Sequence, residues 1–312
     1  MHKYRSYVLP VAILLGLLFH GVSAHLSFLV PWLIFAILTL NFVTVDLRHL
    51  RFSTLHFWLI LFQLTVSIGL YLLVRVLSCN ETLAQGFLMS VLCPVASSVV
   101  VISSMLGADR MTTTAYTMLC NIVISVAAPL YFTLIGVHPE LTFWPSLLMI
   151  LKRITPTLAL PFFTVLALQA LAPKANDWLC RYRNVSFYLW AFALFITLGR
   201  TIDYIFLQGR GNEHIILLSG VFSILMCAVQ FGLGKWLGHH YGDTVAGGQL
   251  LGQKNTAMGI WMANTYLQPL SSVFLAFYII WQNLFNSLQL WRHDRESGRG
   301  VRYDVANSSG IQ

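Results

Sequence analysis

Between Tyr7 and Trp291 the chain is a succession of apolar stretches, parted by short polar or Gly/Pro breaks. Each stretch runs for about 20 residues, the length at which a helix crosses the roughly 30 Å hydrocarbon core of a bilayer. A helix satisfies its own backbone hydrogen bonds there, which an irregular chain in lipid does not. About ten such stretches can be placed, near Tyr7–Val22, Leu26–Val45, Leu55–Leu77, Leu83–Leu106, Thr112–Ile135, Trp144–Leu171, Val185–Phe206, Ile215–Leu237, Val245–Leu267 and Leu270–Trp291.

Composition decides against the competing reading, a soluble protein with a large core. Only 10% of the 312 residues are charged and 57% are hydrophobic, whereas a soluble domain carries about 25% charged residues. A soluble enzyme, a nucleic-acid module and a disordered chain are thereby excluded. The net charge of +8 does not point to nucleic acid either, because the nearest approach to a basic run is Lys152-Arg153. The five cysteines (Cys79, Cys93, Cys120, Cys180 and Cys227) are widely spaced and contain no CxxC. Neither disulfides nor a zinc site is indicated, His239-His240 lacks further ligands, and no metal or cofactor is expected.

The expected fold class is an all-α polytopic membrane protein. Residues 1–292 form one transmembrane domain, and the polar stretch 293–312 is expected to be a disordered cytoplasmic tail. Basic residues give the orientation. With the N-terminus in the cytoplasm, Lys3, Arg5, Arg48, Arg51, Arg110, Lys174, Arg181, Arg183, Lys235, Arg292, Arg295, Arg299 and Arg302 fall inside, against Arg75, Arg200 and Arg210 outside. Both termini are then cytoplasmic, and a plasma membrane, the inner membrane of a bacterium, is the expected setting. The short basic start, the apolar run to Phe19 and the pair Val22-x-Ala24 also fit a signal peptide with its cleavage site.

The spans divide into two sets of five, Met1–Val137 and His138–Trp291. A unit with an odd number of spans inserts its second copy upside down, a common construction among secondary transporters. In both halves the fourth span carries a polar interruption at mid-membrane. The first is Cys93-Pro94-Val95-Ala96-Ser97-Ser98, where Pro94 lacks an N–H and should break or kink the helix. The second is Gly247-Gly248, followed by Gly252-Gln253-Lys254-Asn255-Thr256. Polar groups at that depth are costly unless they line a protein cavity. Two half-helix ends meeting at the midplane would make a site for a polar or anionic solute.

Lys254 carries most weight. It lies about ten residues from either end of its span, and an isolated lysine at the bilayer centre costs about 2.5–3.5 kcal/mol. It either holds the break together through backbone carbonyls or supplies a cation to a binding site. No Asp or Glu lies deep in any span, so a carboxylate proton relay is not expected. Lys152 and Arg153 mark either the entry of the sixth span into the membrane or an anion-attracting vestibule. Gln63, Thr113, Thr117, Asn121, Gln282 and Asn283 are further mid-span polar residues, of the kind that join helices by hydrogen bonds.

At these residues the sequence resembles the bile acid:sodium symporter family of organic-anion transporters. Pro31-Trp32-Leu33 and the run to Leu50 are similar to the family's second span, and Gln63 stands at its glutamine in the third. Cys93-Pro94 resembles the family's C-C-P-G-G motif, Gly252-Gln253-Lys254-Asn255-Thr256 its E-x-G-x-Q-N-[ST], and Trp281-Gln282-Asn283 its W-H-N. The resemblance implies ten spans, with a core of spans 3–5 and 8–10, a panel of spans 1, 2, 6 and 7, and broken helices 4 and 9 crossing in the core. Substrate would bind between core and panel.

Departures from the family pattern are informative. Val99 and Val100 replace a Ser-Asn pair of the first sodium site, although Thr113 and Thr117 keep its hydroxyls. The acidic residue shared by both sodium sites falls at Leu250, and a glutamine of the second falls at Lys254 while Gln63 remains. Sodium needs several oxygen ligands, so its binding is expected to be weak or lost. The Lys254 ammonium would take its place, donating to Gln63 and nearby carbonyls.

The expected function is transport of a small organic anion across the lipid bilayer by alternating access. Ser97, Ser98, Asn255, Thr256 and Asn283 are the candidate substrate contacts, with Lys254 as fixed cation and Gln63, Thr113 and Thr117 as the ion-site remnant. A membrane sensor that binds a similar ligand without moving it is the alternative. An enzyme is not expected, since no buried His/Asp/Glu constellation exists.

Overall fold

A computed structural model of the protein describes residues 5–46, 50, 52–78, 80–96, 98–135, 142–209 and 211–308. These residues are almost wholly helical. In chain order they form α1 (Arg5–Leu18), α2 (His20–His25), α3 (Val30–Phe42), α4 (Thr54–Ser78), α5 (Glu81–Leu92), α6 (Val99–Met105) and α7 (Arg110–Ile135). There follow α8 (Phe143–Leu171), α9 (Pro173–Arg181), α10 (Val185–Gly209), α11 (Glu213–His240), α12 (Thr244–Gly252), α13 (Thr256–Tyr266) and α14 (Ser272–Ser308). Among the described residues the one β-type pairing is an isolated antiparallel bridge, Val95 with Lys254.

Five of these helices (α4, α7, α10, α11 and α14) are long and apolar enough to cross a membrane unaided. Four of the other expected spans are not single α-helices. The first is divided at Phe19 between α1 and α2, and the second is a 3-10 turn, Leu26–Leu29, running into α3. The sixth is α8, one continuous helix of 29 residues. The fourth and ninth are the pairs α5/α6 and α12/α13, each broken at mid-length as Pro94 and the Gly252–Lys254 run predict. One feature departs from the sequence reading. The extra helix α9 starts on Pro173, whose missing N–H costs nothing at a first helical position. The last helix runs on through Ser308. Extending an existing helix needs no new nucleus, which accounts for the continuation.

Two sets of neighbours build the bundle. Helices α1, α2 and α3 pack on α10, and α3 packs on α8. The broken helices pack with α4, α7, α11 and α14. Leu59, Leu88, Cys120, Leu250, Met262 and Leu275 close around the breaks, each fully buried. Large apolar side chains instead stand exposed on outer faces, among them Trp32, Ile122, Phe163 and Leu225. That is the distribution hydrocarbon surroundings require, since they impose no penalty on exposed apolar surface.

The tightest packing joins α11 to α12. Gly242, at φ +78°, turns the chain out of α11, and the Asp243 N–H closes back on Gly238 O at 3.0 Å. The Asp243 carboxylate then accepts from Ala246 N at 2.8 Å and caps α12. The two backbones touch at Gly234 and Gly247, where a Cβ on Gly234 would lie 2.3 Å from Gly247 O. This hairpin sets the position of the second break.

Candidate functional site: the crossing of two broken helices

The two breaks cross each other. Ala96 N donates to Gln253 O at 3.2 Å and Asn255 N donates to Pro94 O at 2.8 Å, which together make the Val95–Lys254 bridge. Each irregular segment thus satisfies the other's backbone, the condition for non-helical chain at membrane depth.

A helix leaves its last carbonyls without intrahelical partners. In α5 the final backbone bond is Cys93 N to Met89 O at 3.0 Å, and Pro94 has no N–H to continue. The next carbonyls are taken one by one by other elements. Ser90 O accepts from Gln230 Nε2 at 3.1 Å, and Val91 O accepts from Lys254 Nζ at 2.9 Å. Leu92 O and Cys93 O both accept from Gln63 Nε2, at 3.0 and 2.7 Å. The carbonyl end of a helix carries a partial negative charge. An ammonium is therefore the chemically matched partner at the α5 terminus.

Lys254 is 1% exposed, and among the described residues no Asp or Glu side chain is buried. A charge-assisted hydrogen bond returns about 1.5–3 kcal/mol, the same size as the cost of placing a lysine mid-membrane. The arrangement is nearly balanced, and removing either partner upsets it.

The α12 end is treated similarly. Tyr278 Oη donates to Gly252 O at 2.9 Å and accepts from Gln230 Nε2 at 3.1 Å. Gln282 clasps Lys254 from both sides: Lys254 N donates to its Oε1 at 2.8 Å, and its Nε2 donates to Lys254 O at 3.2 Å. Replacing Gln282 with Leu orphans a buried N–H and is expected to lower the unfolding free energy by about 1–3 kcal/mol. Chemical denaturation of the detergent-purified protein checks this, and an unchanged midpoint would show that the clasp contributes nothing.

Several sequence-predicted residues meet here. Gln63 and Lys254 converge on the same helix end. They do not bond each other as expected, because the Lys254 Nζ takes Val91 O and the Gln63 amide takes the two carbonyls beyond. Gln63 Oε1 accepts instead from Tyr116 Oη at 3.3 Å and Cys120 Sγ at 3.5 Å. Ser98 Oγ donates to Gln253 Oε1 at 3.3 Å, and Gln253 in turn donates to Gln249. Asn255 Oδ1 accepts from Met258 N at 3.2 Å and caps α13, whose first residue is the buried Thr256. Ser97 lies outside the described residues.

Other candidates turn to their own helices. Thr113 Oγ1 donates to Asp109 O and Arg110 O, Thr117 Oγ1 to Thr113 O at 2.7 Å, and Asn283 Nδ2 to Ile279 O at 2.7 Å. Val99, Val100 and Leu250 are buried and apolar. Lys152 is exposed on α8, and the Arg153 side chain lies outside the described residues. Tyr278 and Gln230 were not singled out from sequence. A lone glutamine in the apolar run of α11 was the available signal, and Tyr278 stands one turn before Gln282 on α14.

Helices broken at mid-length, crossing through paired backbone with opposed half-helix ends, define a carrier-type membrane protein. The chain belongs to the SBF-like CPA transporter family, whose family model matches residues 32–290. This is the bile acid:sodium symporter-like family that its motifs resemble. Family and apolar helices together make it an integral membrane protein. No curated protein matches the chain.

Proposed function

We propose that the protein is a secondary transporter that carries a small organic anion by alternating access, with the Lys254 ammonium as a resident cation in place of bound sodium. One observation carries this reading: Lys254 Nζ sits 2.9 Å from Val91 O at the carbonyl end of α5. A half-helix end of this kind is where such folds coordinate a coupling cation.

The residues present do not suit sodium. Lys254 takes a carbonyl at the α5 end, positions 99, 100 and 250 are apolar, and the Thr113 and Thr117 hydroxyls serve their own helix. No transport step is therefore routed through that ion. The fixed positive charge instead offers an anion a permanent partner near the crossing, where Ser98, Asn255 and Thr256 supply further hydrogen-bonding groups. Ser97 and Asn283 stay candidates by their sequence positions alone.

In this reading the ten spans form two inverted repeats of five. The corresponding capping of the two broken helices supports it: Asn80 caps α5 and Asp243 caps α12, each directly after a long helix. The moving core comprises α4–α7 with α11–α14, and α1–α3 with α8–α10 form the panel. Both termini face the cytoplasm, by the distribution of basic residues.

A thermal-shift screen of organic acids, with and without sodium, tests the proposal. A ligand at about 100 times its dissociation constant stabilises the folded protein by about 2.7 kcal/mol, here equally in both buffers. Stabilisation that requires sodium would refute the resident-cation reading. Binding without flux of the same acid in proteoliposomes would make the protein a sensor.

A further inference from the structure

The short helix α9 is held in one rotational setting. Asn176 Nδ2 and Cys180 Sγ both donate to Val43 O at the end of α3, at 3.3 and 3.1 Å. Leu179 and Cys180 pack beside them against the cluster of Phe42, Val43 and Val165. The opposite side is bare. Lys174, Trp178 and Arg181 are exposed on it, and Tyr182 and Arg183 extend it past the helix end.

The Trp178 and Tyr182 rings lie 4.8 Å apart and are 54% and 46% exposed. They stand where α8 ends and α10 begins, the depth at which amphipathic aromatic rings favour the membrane–water interface. Arg110, at the start of α7, donates to Thr44 Oγ1 at 2.9 Å beside the same α3 end. The Arg183 guanidinium acts on it as a like charge. Asp46, Asp109 and Asp177 reduce the positive charge of this corner without cancelling it, and Asp109 already accepts from Thr112 N and Oγ1. Neighbouring guanidinium groups repel unless an anion joins them, and their planar forks match phosphate oxygens.

We propose that this corner binds the headgroup of an anionic phospholipid, with Arg110, Arg181 and Arg183 on its phosphate and Trp178 and Tyr182 at the level of its glycerol. A soluble anion would need the guanidinium groups but not the exposed aromatic pair. A lipid at the interface uses both. Bound there, it ties the α3–α9 junction to one leaflet.

Melting of the detergent-purified full chain, titrated with short-chain phosphatidylglycerol, phosphatidylcholine or inorganic phosphate, tests this. Phosphatidylglycerol is expected to raise the melting temperature at the lowest concentration. The double variant Arg181→Gln/Arg183→Gln, altered only at exposed positions, is expected to melt like the parent without lipid. It should need about fivefold more phosphatidylglycerol per charge removed. Trp178→Ala should weaken the response to both lipids. Equal effects of the two lipids, a full effect of inorganic phosphate, or an unshifted titration in the double variant would each overturn the proposal.

Discussion

Proteoliposomes containing the wild-type protein are expected to take up a stabilising organic acid at an unchanged rate when choline replaces sodium outside. Nothing in the crossing then waits for an ion, because the Lys254 ammonium already bonds Val91 O and the Gln63 amide bonds Leu92 O and Cys93 O. Lys254→Met is expected to lower this uptake at least about tenfold. It removes the cation and strands a buried carbonyl, at a stability cost of about 1–3 kcal/mol. A further loss of about 1.4 kcal/mol of anion attraction in the transport step is a tenfold fall in rate. Lys254→Gln keeps a donor near Val91 O and should fold better than the methionine variant while still transporting poorly. Strict sodium dependence of the wild type, or a methionine variant that transports normally, would remove Lys254 from the mechanism.

The second large effect is expected at the α11–α12 contact. A Cβ on Gly247 would lie 2.3 Å from Gly234 O and 2.7 Å from Gly238 Cα. All these atoms are backbone, so no side chain can swing away, and the hairpin must open instead. Gly247→Ala and Gly234→Ala are each expected to cost at least about 1–3 kcal/mol, the usual range for overpacking. Gly232→Ala, on the same α11 with nothing within 4 Å of its added Cβ, is the control. It should be neutral or stabilising by up to about 1 kcal/mol, since alanine is the better helix former. Melting temperatures in detergent compare the three. A Gly247→Ala protein that melts with the wild type would mean that the backbones are not in contact there. Because α12 ends at the break that holds Lys254, the destabilised variants should lose transport together with stability.

Much of this was legible in the chain itself. A proline with no N–H inside an apolar run marks a break wherever the run folds, and Pro94 lies between α5 and α6 as expected. The Gly252–Asn255 stretch marks the second break by the same logic, since polar groups at that depth need protein partners. Lys254 stood out because one charge in hydrocarbon is expensive. The partners did not stand out. Val91 is an ordinary apolar residue whose carbonyl matters only because helix α5 ends there. Tyr278 and Gln230 meet across 48 positions of sequence separation. The division of the first span at Phe19 and the helix α9 also escaped, being short features in which local propensity is weak.

The sequence alone determined that the chain is helical and membrane-embedded, where its two central helices break, and that one buried charge needs an answer. Those follow from hydrophobic length, from the missing proton of proline and from the cost of an ion in hydrocarbon, all properties of a segment taken singly. Only the tertiary structure decided that the breaks pair with each other, that the ammonium serves the end of α5 rather than Gln63, and that glycines 234 and 247 bring two backbones together. A carbonyl left over at a helix end has no preference written into its own residue. Its partner is whichever donor the packing of distant helices delivers within 3 Å.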